Sequence, residues 1–361
     1  MSDSGKNLII TGHKISGKWS FCEGLESYGG EPWLVNTVIT NRRSGLQGKI
    51  RYFRYFSAAW KIFRRRKDYK RVVAWDQFFG LILAFYVMFF RVKWCPDIYI
   101  MGFIYLKKKG LKGELYEWFI MKALSCGNVR RVFVYSDHES DYYKKYFGVD
   151  DDLFTSIRLG VEDEYEAYKK IIKKGDYFVA AGNSNRDYDF LYNSWDDMCW
   201  DNMFGSTGKL RIICDKLTFK NRKYIRILNN CFGADYREEL AQSCGVIIPL
   251  KNENVSSGQL VAIHAAMFGK PVLYTKNYSL DQYIDNGVTG FMIEKTKEGL
   301  IEGLTKINND DVYNTVSHNA RAKFEREFSL YDLGCSVGKY VFSELKEENA
   351  DEHRADSGET S

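Results

Sequence analysis

The amino-acid sequence predicts an α/β protein with a parallel sheet in each half of its 361 residues. Short runs of apolar and β-branched residues alternate with longer segments of helical periodicity. This alternation is typical of parallel strands that are joined by right-handed helical crossovers. The chain is long for one apolar core and suits two domains. It contains only four prolines, so we do not expect a long proline-rich linker.

The predicted strands occur in both halves of the chain. In the first half they are 8–11, 72–75, 97–101 and 132–135, and in the second half 177–181, 210–214, 225–228, 245–250 and 272–275. Helices are expected at 187–199, 235–243, 258–268, 314–328 and 331–346. The predicted domains are 1–165 and 166–330, followed by a closing helix at 331–346 and a polar tail, 347–361, that is predicted to be disordered.

Charge is distributed unevenly between the two halves. Residues 1–150 carry 26 Lys and Arg against 13 Asp and Glu, whereas residues 151–361 carry 26 against 34. An asymmetry of this size indicates that the first half meets an anionic partner, such as a membrane surface or a nucleic acid.

The basic excess is concentrated in residues 42–71, which hold twelve Lys and Arg and one acidic residue. Aromatic residues recur there at helical spacing, so we expect an amphipathic helix suited to an anionic lipid surface. The alternative is a domain-surface helix whose aromatic side chains face the core. Residues 78–90 carry no charge but are too few to cross a bilayer, which needs about 20. We expect a buried helix there, with an interfacial helix as the alternative.

Cysteine usage indicates a cytoplasmic protein. The eight cysteines are scattered without a CxxC pair, a spacing that fits neither a zinc ribbon nor a disulfide framework. The N-terminal residues also lack the basic-then-apolar pattern of a signal peptide.

Residues 247–275 read as strand, polar loop, helix and strand. Ser256 or Ser257 is placed to cap the helix, and Gly258 would let a ligand approach its first turn. Backbone N–H groups and the helix dipole would make this end an anion site. The alternative is an ordinary crossover with a capped helix. A weaker signal is the turn from Gly12 to Gly17, which is not a complete dinucleotide-binding fingerprint.

Several motifs belong together. They are Gly182-Asn183-Ser184-Asn185-Arg186-Asp187-Tyr188, Ser257-Gly258-Gln259 with Ala266-Met267-Phe268-Gly269-Lys270-Pro271-Val272, the stretch 281–291, and Tyr135-Ser136 with Glu139 and Tyr143. They resemble the GT-B glycosyltransferases, in particular the retaining group called glycosyltransferase family 4. The resemblance implies two Rossmann-like domains facing each other across a cleft and C-terminal helices that close back on the first domain. It also implies a UDP- or GDP-linked sugar as donor, no other cofactor, no metal ion and a retaining outcome.

One departure from the family concerns a pair of glutamates eight positions apart. Here the two positions hold Ser256 and His264. We expect His264 to hydrogen-bond a ribose hydroxyl, although a helix histidine satisfied by a backbone group is the alternative.

Transfer from a nucleotide sugar develops negative charge on the leaving diphosphate, which cations and N–H donors stabilise. Arg186 is the first candidate cation because a guanidinium binds phosphate bidentately, and Lys216 is the second. The alternative for Arg186 is a surface arginine at a helix start. The other donor-side candidates are Gly182, Asn183, Ser184, Ser257, Gly258, Gln259 and His264.

On the acceptor side, Gly12 would let the first loop approach the diphosphate, with His13 and Lys14 as nearby polar candidates. Asp76 follows a strand and is the candidate base or hydroxyl-orienting carboxylate, with a strand-end cap as the alternative. Glu139 is a weaker candidate of the same kind. The acidic run 150–152 reads as surface, so we predict no metal site.

The leading functional hypothesis is a hexosyl-type transferase that acts on a lipid-linked or saccharide acceptor in surface polysaccharide assembly. It would be cytoplasmic and peripheral to the inner face of the plasma membrane. The alternatives are a nucleotide-sugar 2-epimerase and a non-catalytic protein that binds nucleotide sugars or membranes. Nucleic acid is not an expected partner, because the second half is acidic and carries a donor-type loop, although basic and aromatic residues can bind single strands.

Overall fold

The computed structural model describes residues 5–15, 17–40, 46–195 and 208–356. The chain divides into two compact units. The first unit comprises Met1–Ile157 and Leu333–Ser361, and the second comprises Arg158–Asp332.

The first unit is built on a six-stranded sheet in which all neighbouring strands are parallel. Its order is β2-β1-β3-β4-β5-β6. The strands are β1 (Lys6–Thr11), β2 (Trp33–Thr37), β3 (Tyr69–Ala74), β4 (Asp97–Ile100), β5 (Val129–Val134) and β6 (Phe154–Ser156). The helices are α1 (Ser20–Gly29), α2 (Leu46–Arg64), α3 (Gln77–Phe90), α4 (Leu111–Leu124) and α5 (Asp137–Phe147). The four strands predicted in this half are confirmed, whereas β2 and β6 were not predicted.

The second unit repeats the design with a parallel sheet of order β12-β11-β10-β7-β8-β9. Its strands are β7 (Tyr177–Ala181), β8 (Lys209–Ile213), β9 (Ile225–Leu228), β10 (Gly245–Ile248), β11 (Val272–Thr275) and β12 (Gly290–Ile293). Its helices are α6 (Tyr165–Tyr168), α7 (Tyr188–Ser194), α8 (Ala234–Ala241), α9 (Gln259–Met267), α10 (Lys297–Asn308) and α11 (Asp310–Glu327). Part of the helix predicted at 187–199 lies outside the described residues.

Alternate side chains of β7 enter two apolar cores, one on each face of the second sheet. Val179 packs in one core and Ala180 in the other. Burial on both faces explains why this strand is an unbroken apolar run in the sequence.

The last helix, α12 (Leu330–Asp356), packs on the first unit. The Phe342 ring lies 6.4 Å from that of Trp33, and the Arg71 guanidinium lies 4.7 Å from the Phe342 centroid. The Tyr99 hydroxyl also donates a hydrogen bond to the Val341 carbonyl. The expectation that the C-terminal region closes back on the first domain is confirmed for this helix.

Two predicted boundaries differ from those observed. The first unit ends at Ile157 and not at 165, because Leu159, Val161 and Tyr165 pack on a core of the second unit. The tail predicted to be disordered from 347 is helical as far as Asp356. This segment is polar but rich in Glu and Ala, which favour helix, and its first glycine comes at 358.

Each sheet contains a point where the strand order reverses. In the first unit β1 lies between β2 and β3, and in the second β7 lies between β10 and β8. Connections leave such a pair of strands in opposite directions, which opens a crevice at their carboxyl ends where α/β proteins bind ligands.

Candidate functional site

Two loops meet at the carboxyl ends of β7 and β10. The Asn185 side chain, on the loop after β7, accepts a hydrogen bond from the Asn252 amide at 3.0 Å and donates one to Ser257 Oγ at 3.1 Å. The Asp187 amide donates to the Pro249 carbonyl at 2.8 Å. Asn185 has a φ of 53°, in the left-handed region that asparagine tolerates better than most residues. The two loops therefore form one connected structure.

Arg186 belongs to the loop after β7, and its side chain hydrogen-bonds the backbone of that loop. Its Nε donates to the Ala181 carbonyl at 2.9 Å and its Nη1 to the Ser184 carbonyl at 3.0 Å. Gly182 has a φ of 123°, and a Cβ at this position would lie 2.8 Å from Arg186 Nη2. Burial lowers the pKa of Arg186, although a guanidinium stays charged at physiological pH. Arg186 thus holds the loop with two of its nitrogens.

Lys216 is an exposed cation of this region. Its Nζ lies 3.5 Å from the Asn183 carbonyl oxygen. The Asn183 side chain accepts hydrogen bonds from the Asp215 amide at 3.0 Å and from Cys214 Sγ at 3.1 Å. The structure therefore brings Asn183, Arg186 and Lys216 together at the ends of β7 and β8, and Ser184 contacts Arg186 through its backbone carbonyl.

The N-terminus of α9 differs from the prediction. Its N-cap is Gly258, with a φ of 98° and no side-chain cap, so the prediction that Ser256 or Ser257 caps the helix is wrong. Left-handed backbone at this position favours glycine, and the two serine hydroxyls have other partners. Ser256 Oγ accepts a hydrogen bond from the Gln259 side chain, and Ser257 Oγ accepts one from Asn185.

The first helical hydrogen bond of α9 runs from the Ala262 amide to the Gly258 carbonyl at 2.9 Å. The amides of Gln259, Leu260 and Val261 precede it, so they belong to the first turn, whose N–H groups have no partner within a helix. This end of the helix retains the donors and the positive dipole end of an anion site.

A cavity of about 290 Å³, called here the second-unit pocket, lies beside this loop structure. Its wall is mostly apolar and includes Ile213, Phe232, Leu260 and Val261. Further lining residues are Gly182, Asn183, Asp215, Tyr236, Arg237 and His264. An apolar cavity with a few polar groups is the usual form of a small-molecule site.

Three of these lining residues, Tyr236, Arg237 and His264, have a buried polar atom with no hydrogen-bond partner among the described residues. Arg237 Nε forms an ion pair with Glu164, which leaves Tyr236 and His264. His264 is 7% exposed, and its buried Nδ1 has no hydrogen-bond partner among the residues that the structure describes. The buried Tyr236 Oη likewise finds none in the described part of the chain, and the two rings lie 5.6 Å apart. Buried polar atoms in folded proteins are nearly always paired, so this pair points to a ligand.

Burial lowers the pKa of His264 to about 4, and the nearby Arg237 contributes in the same direction. The imidazole is therefore neutral at physiological pH, with one donor and one acceptor nitrogen. Burial also raises the pKa of the Tyr236 phenol, which stays protonated and can donate. The two groups together offer hydrogen bonds of both kinds without a charge.

A second cavity, of about 450 Å³ and called here the first-unit pocket, lies at the carboxyl ends of β1 and β3. Asp76 accepts a hydrogen bond from the Gly12 amide at 2.6 Å and does not cap α3 with its side chain. A Cβ at Gly12 would lie 2.9 Å from Asp76 Oδ2, so glycine permits this close approach. The lining also includes His13, Thr40, Arg51, Tyr55, Trp75 and Phe78. Ser16, in the predicted first turn, lies outside the described residues.

Glu139 has a local structural role. Ser136 Oγ accepts a hydrogen bond from the Glu139 amide at 3.2 Å, and the Glu139 carboxylate lies 3.2 Å from the same oxygen. This is a helix-capping arrangement at the start of α5.

Within the described residues, no group of three or more His, Cys, Asp or Glu is arranged to hold a metal ion. No helix in the same ranges is long and apolar enough to span a membrane.

Sequence reasoning missed Tyr236 and Asn185. Tyr236 lies in a charged helix and gives no signal of its own. Asn185 sits among small polar residues, where a left-handed asparagine in a turn is a recognisable possibility.

Comparison with known proteins gives a consistent picture. No family model matches the chain. A protein of Methanocaldococcus jannaschii, named as an uncharacterized glycosyltransferase, is 24% identical over 187 residues, or 49% of this chain. The chain spans about half the length of that relative, 51%.

Solved structures match over nearly the whole chain. Sucrose-phosphate synthase from Thermosynechococcus elongatus has a TM-score of 0.65 at 12% identity, over 95% of this chain and 100% of that one. HepE from Anabaena, solved with UDP and glucose, has a TM-score of 0.60 at 14% identity, over 94% and 100%. WaaG, a glycosyltransferase involved in lipopolysaccharide biosynthesis, has a TM-score of 0.58 at 14% identity, over 92% and 98%. With its two parallel six-stranded α/β units, the chain has the GT-B fold of these glycosyltransferases.

Proposed function

We propose that the protein is a glycosyltransferase that uses a UDP-linked sugar as donor. The observation that carries the proposal is the pair of unsatisfied groups, His264 Nδ1 and Tyr236 Oη, in an apolar pocket beside an open helix N-terminus and Lys216. HepE, which shares the fold, was solved with UDP and glucose. The partial relative named as a glycosyltransferase supports the same class of activity.

The second-unit pocket is the proposed nucleoside site. Its apolar wall would cover the base, and His264 would hydrogen-bond a ribose hydroxyl in the place of the carboxylate found in many members of glycosyltransferase family 4. A neutral imidazole can accept a hydrogen bond from one hydroxyl. Uridine is the proposed nucleoside because HepE, which shares the fold, was solved with UDP.

The diphosphate would lie at the N-terminus of α9. The amides of Gln259, Leu260 and Val261 are the proposed donors, assisted by Lys216 and by Nη2 of Arg186. Negative charge grows on the diphosphate as the glycosidic bond to it breaks, and fixed donors that stabilise this charge lower the barrier. We propose that these groups suffice without a divalent cation.

The acceptor is proposed to be lipid-linked or a saccharide and to bind at the first-unit pocket. Asp76 Oδ2 is held by the Gly12 amide, which leaves the other carboxylate oxygen to orient an acceptor hydroxyl. That hydroxyl oxygen would bond to the anomeric carbon as the bond from this carbon to the diphosphate oxygen breaks, and the hydroxyl proton would pass to the departing diphosphate. From the resemblance in its motifs, we propose retention of configuration and a role in surface polysaccharide assembly at the inner face of the plasma membrane.

Calorimetric titration of UDP and GDP, with and without EDTA, tests the donor site. We expect UDP to bind more tightly than GDP, and EDTA to have no effect. Lys216→Ala should weaken UDP binding at least tenfold, which corresponds to about 1.4 kcal/mol. Lys169→Ala, which removes an exposed lysine of the same unit, is the matched control and should bind as the wild type does.

Equal binding of UDP by Lys216→Ala and the wild type would contradict the assignment of the diphosphate. Absence of binding by either nucleotide would favour a non-catalytic protein. Release of UDP from a UDP-sugar without any acceptor would favour the 2-epimerase.

A further inference from the structure

An apolar surface covers the outer side of helices α2, α3 and α4 in the first unit. On α4, Leu111, Leu115, Trp118 and Met121 are all at least half exposed, and Leu111 reaches 71%. Their spacing of four, three and three residues puts them on one face of the helix. Such a stripe normally faces a core, so its exposure needs a partner.

The stripe continues across the neighbouring helices through a chain of ring contacts. Trp118 contacts Phe85 at 5.8 Å between ring centroids, and Phe85 contacts Phe89 at 6.0 Å. Phe90 follows at 5.1 Å from Phe89 and contacts Trp60 of α2 at 5.6 Å. Phe89 is itself 67% exposed. The exposed apolar residues therefore form one continuous face, called here the three-helix face.

Basic residues border the three-helix face. Lys107, Lys108, Lys109 and Lys112 surround the N-terminus of α4 and are exposed. Cations are unfavourable at a helix N-terminus, where the dipole is positive. Lys107 Nζ lies 4.0 Å from the Glu117 carboxylate, so an external anion would mainly stabilise Lys108, Lys109 and Lys112. Further exposed basic residues beside the face are Arg64, Arg65, Arg91, Lys93 and Lys122. The acidic residues of α4 are Glu114 and Glu117, and Glu117 accepts a hydrogen bond from Tyr146.

We propose that the three-helix face docks on an anionic phospholipid bilayer, with the α4 stripe and Phe89 inserted among the acyl chains and the lysines of residues 107–112 on lipid phosphates. Apolar insertion combined with basic contacts is how proteins bind membranes without spanning them. The sequence alone predicts contact with an anionic lipid surface for the basic segment 42–71. The structure adds the exposed apolar stripe of α4, for which the sequence gives no comparable signal. The inference rests on the proposed function only for the location at a membrane.

Co-sedimentation of the full chain with vesicles tests the proposal. We expect binding to vesicles of phosphatidylcholine with 30% phosphatidylglycerol, weaker binding to phosphatidylcholine alone, and loss of binding as salt rises and screens the phosphates. Leu115→Gln/Trp118→Gln should reduce partitioning at least tenfold. Val288→Gln/Met292→Gln, which alters exposed apolar residues of the second unit, is the matched control and should partition as the wild type does.

Circular dichroism and UDP titration on the same variants separate docking from folding and from the donor site. Unchanged UDP affinity with lost vesicle binding supports the proposal, and failure of UDP to bind any variant would concern the donor site alone. Wild-type partitioning by the α4 variant would overturn the proposal. A wild-type dimer in sedimentation equilibrium that the α4 variant converts to a monomer would also overturn it, because the face would then bind a second copy.

Discussion

The neutral state of His264 follows from its surroundings. Burial lowers its pKa to about 4, while an unfolded histidine titrates near 6.5. Between these values the unfolded chain takes up a proton that the folded chain does not. Stability is therefore lost as the pH falls from about 6.5 towards 4. This loss of stability in acid fits a histidine that is kept neutral because a ligand uses its unprotonated nitrogen.

His264→Gln tests this account, because glutamine is polar, of similar size and uncharged at every pH. Between pH 7 and pH 4.5 the wild type should lose about 2 kcal/mol more unfolding free energy than the variant. Urea denaturation at the two pH values measures the difference, and all other titrating groups cancel in the comparison. If both proteins lose the same free energy, His264 is not buried as a neutral group.

At the scale of elements, the sequence predicts the strands that lie inside the sheets better than those at the edges. β7, β10 and β11 are buried along their whole length and consist almost entirely of apolar residues. β2 is an edge strand whose residues after Trp33 are exposed, and β6 has three residues, so neither carries a strong pattern. The N-cap of α9 was mispredicted because the sequence Ser-Ser-Gly does not reveal which residue has the left-handed backbone.

The candidate site was predictable in part, because some of its residues lie at the ends of strands that the sequence reveals. Loop positions such as Gly182, Asn183 and Lys216 follow from the strand ends. Contacts between distant parts of the chain do not follow from the strand ends. The sequence therefore did not predict the burial of the Arg186 guanidinium or the position of Tyr236 beside His264. Both depend on how α8 and the loop after β7 pack, which no local pattern specifies.

Asn185 joins the loops after β7 and β10 and permits a prediction about the element they form. Asn185→Gly keeps the left-handed backbone but removes the side-chain bonds to Asn252 and Ser257. We expect UDP affinity to fall at least tenfold, because the amides at α9 are then less well positioned relative to Lys216. Asn185→Ala should lose the same bonds and also about 1 kcal/mol of stability through its backbone strain. Titration calorimetry and thermal melts measure the two effects, and unchanged affinity in Asn185→Gly would show that this link does not organise the site.

At the scale of the whole molecule, the two units have separate apolar cores, and the last helix of the chain packs on the first unit. Phe342 of α12 is buried against Trp33 and Arg71, far from them in sequence. Phe342→Ala should therefore destabilise the first unit by about 3 to 5 kcal/mol, the usual cost of removing a buried phenylalanine ring.

Hydrogen exchange followed by mass spectrometry can assign that loss to one unit. In Phe342→Ala we expect faster exchange in β1, β2 and β3, whereas the amides of β7 and β10 should exchange as in the wild type. UDP should slow exchange in the second unit, at the loop after β7 and the start of α9, in both proteins. Faster exchange of β7 and β10 in the variant would contradict the assignment of α12 to the first unit. The same experiment would place the nucleotide, because protection confined to the first unit would move the donor site away from α9 and His264.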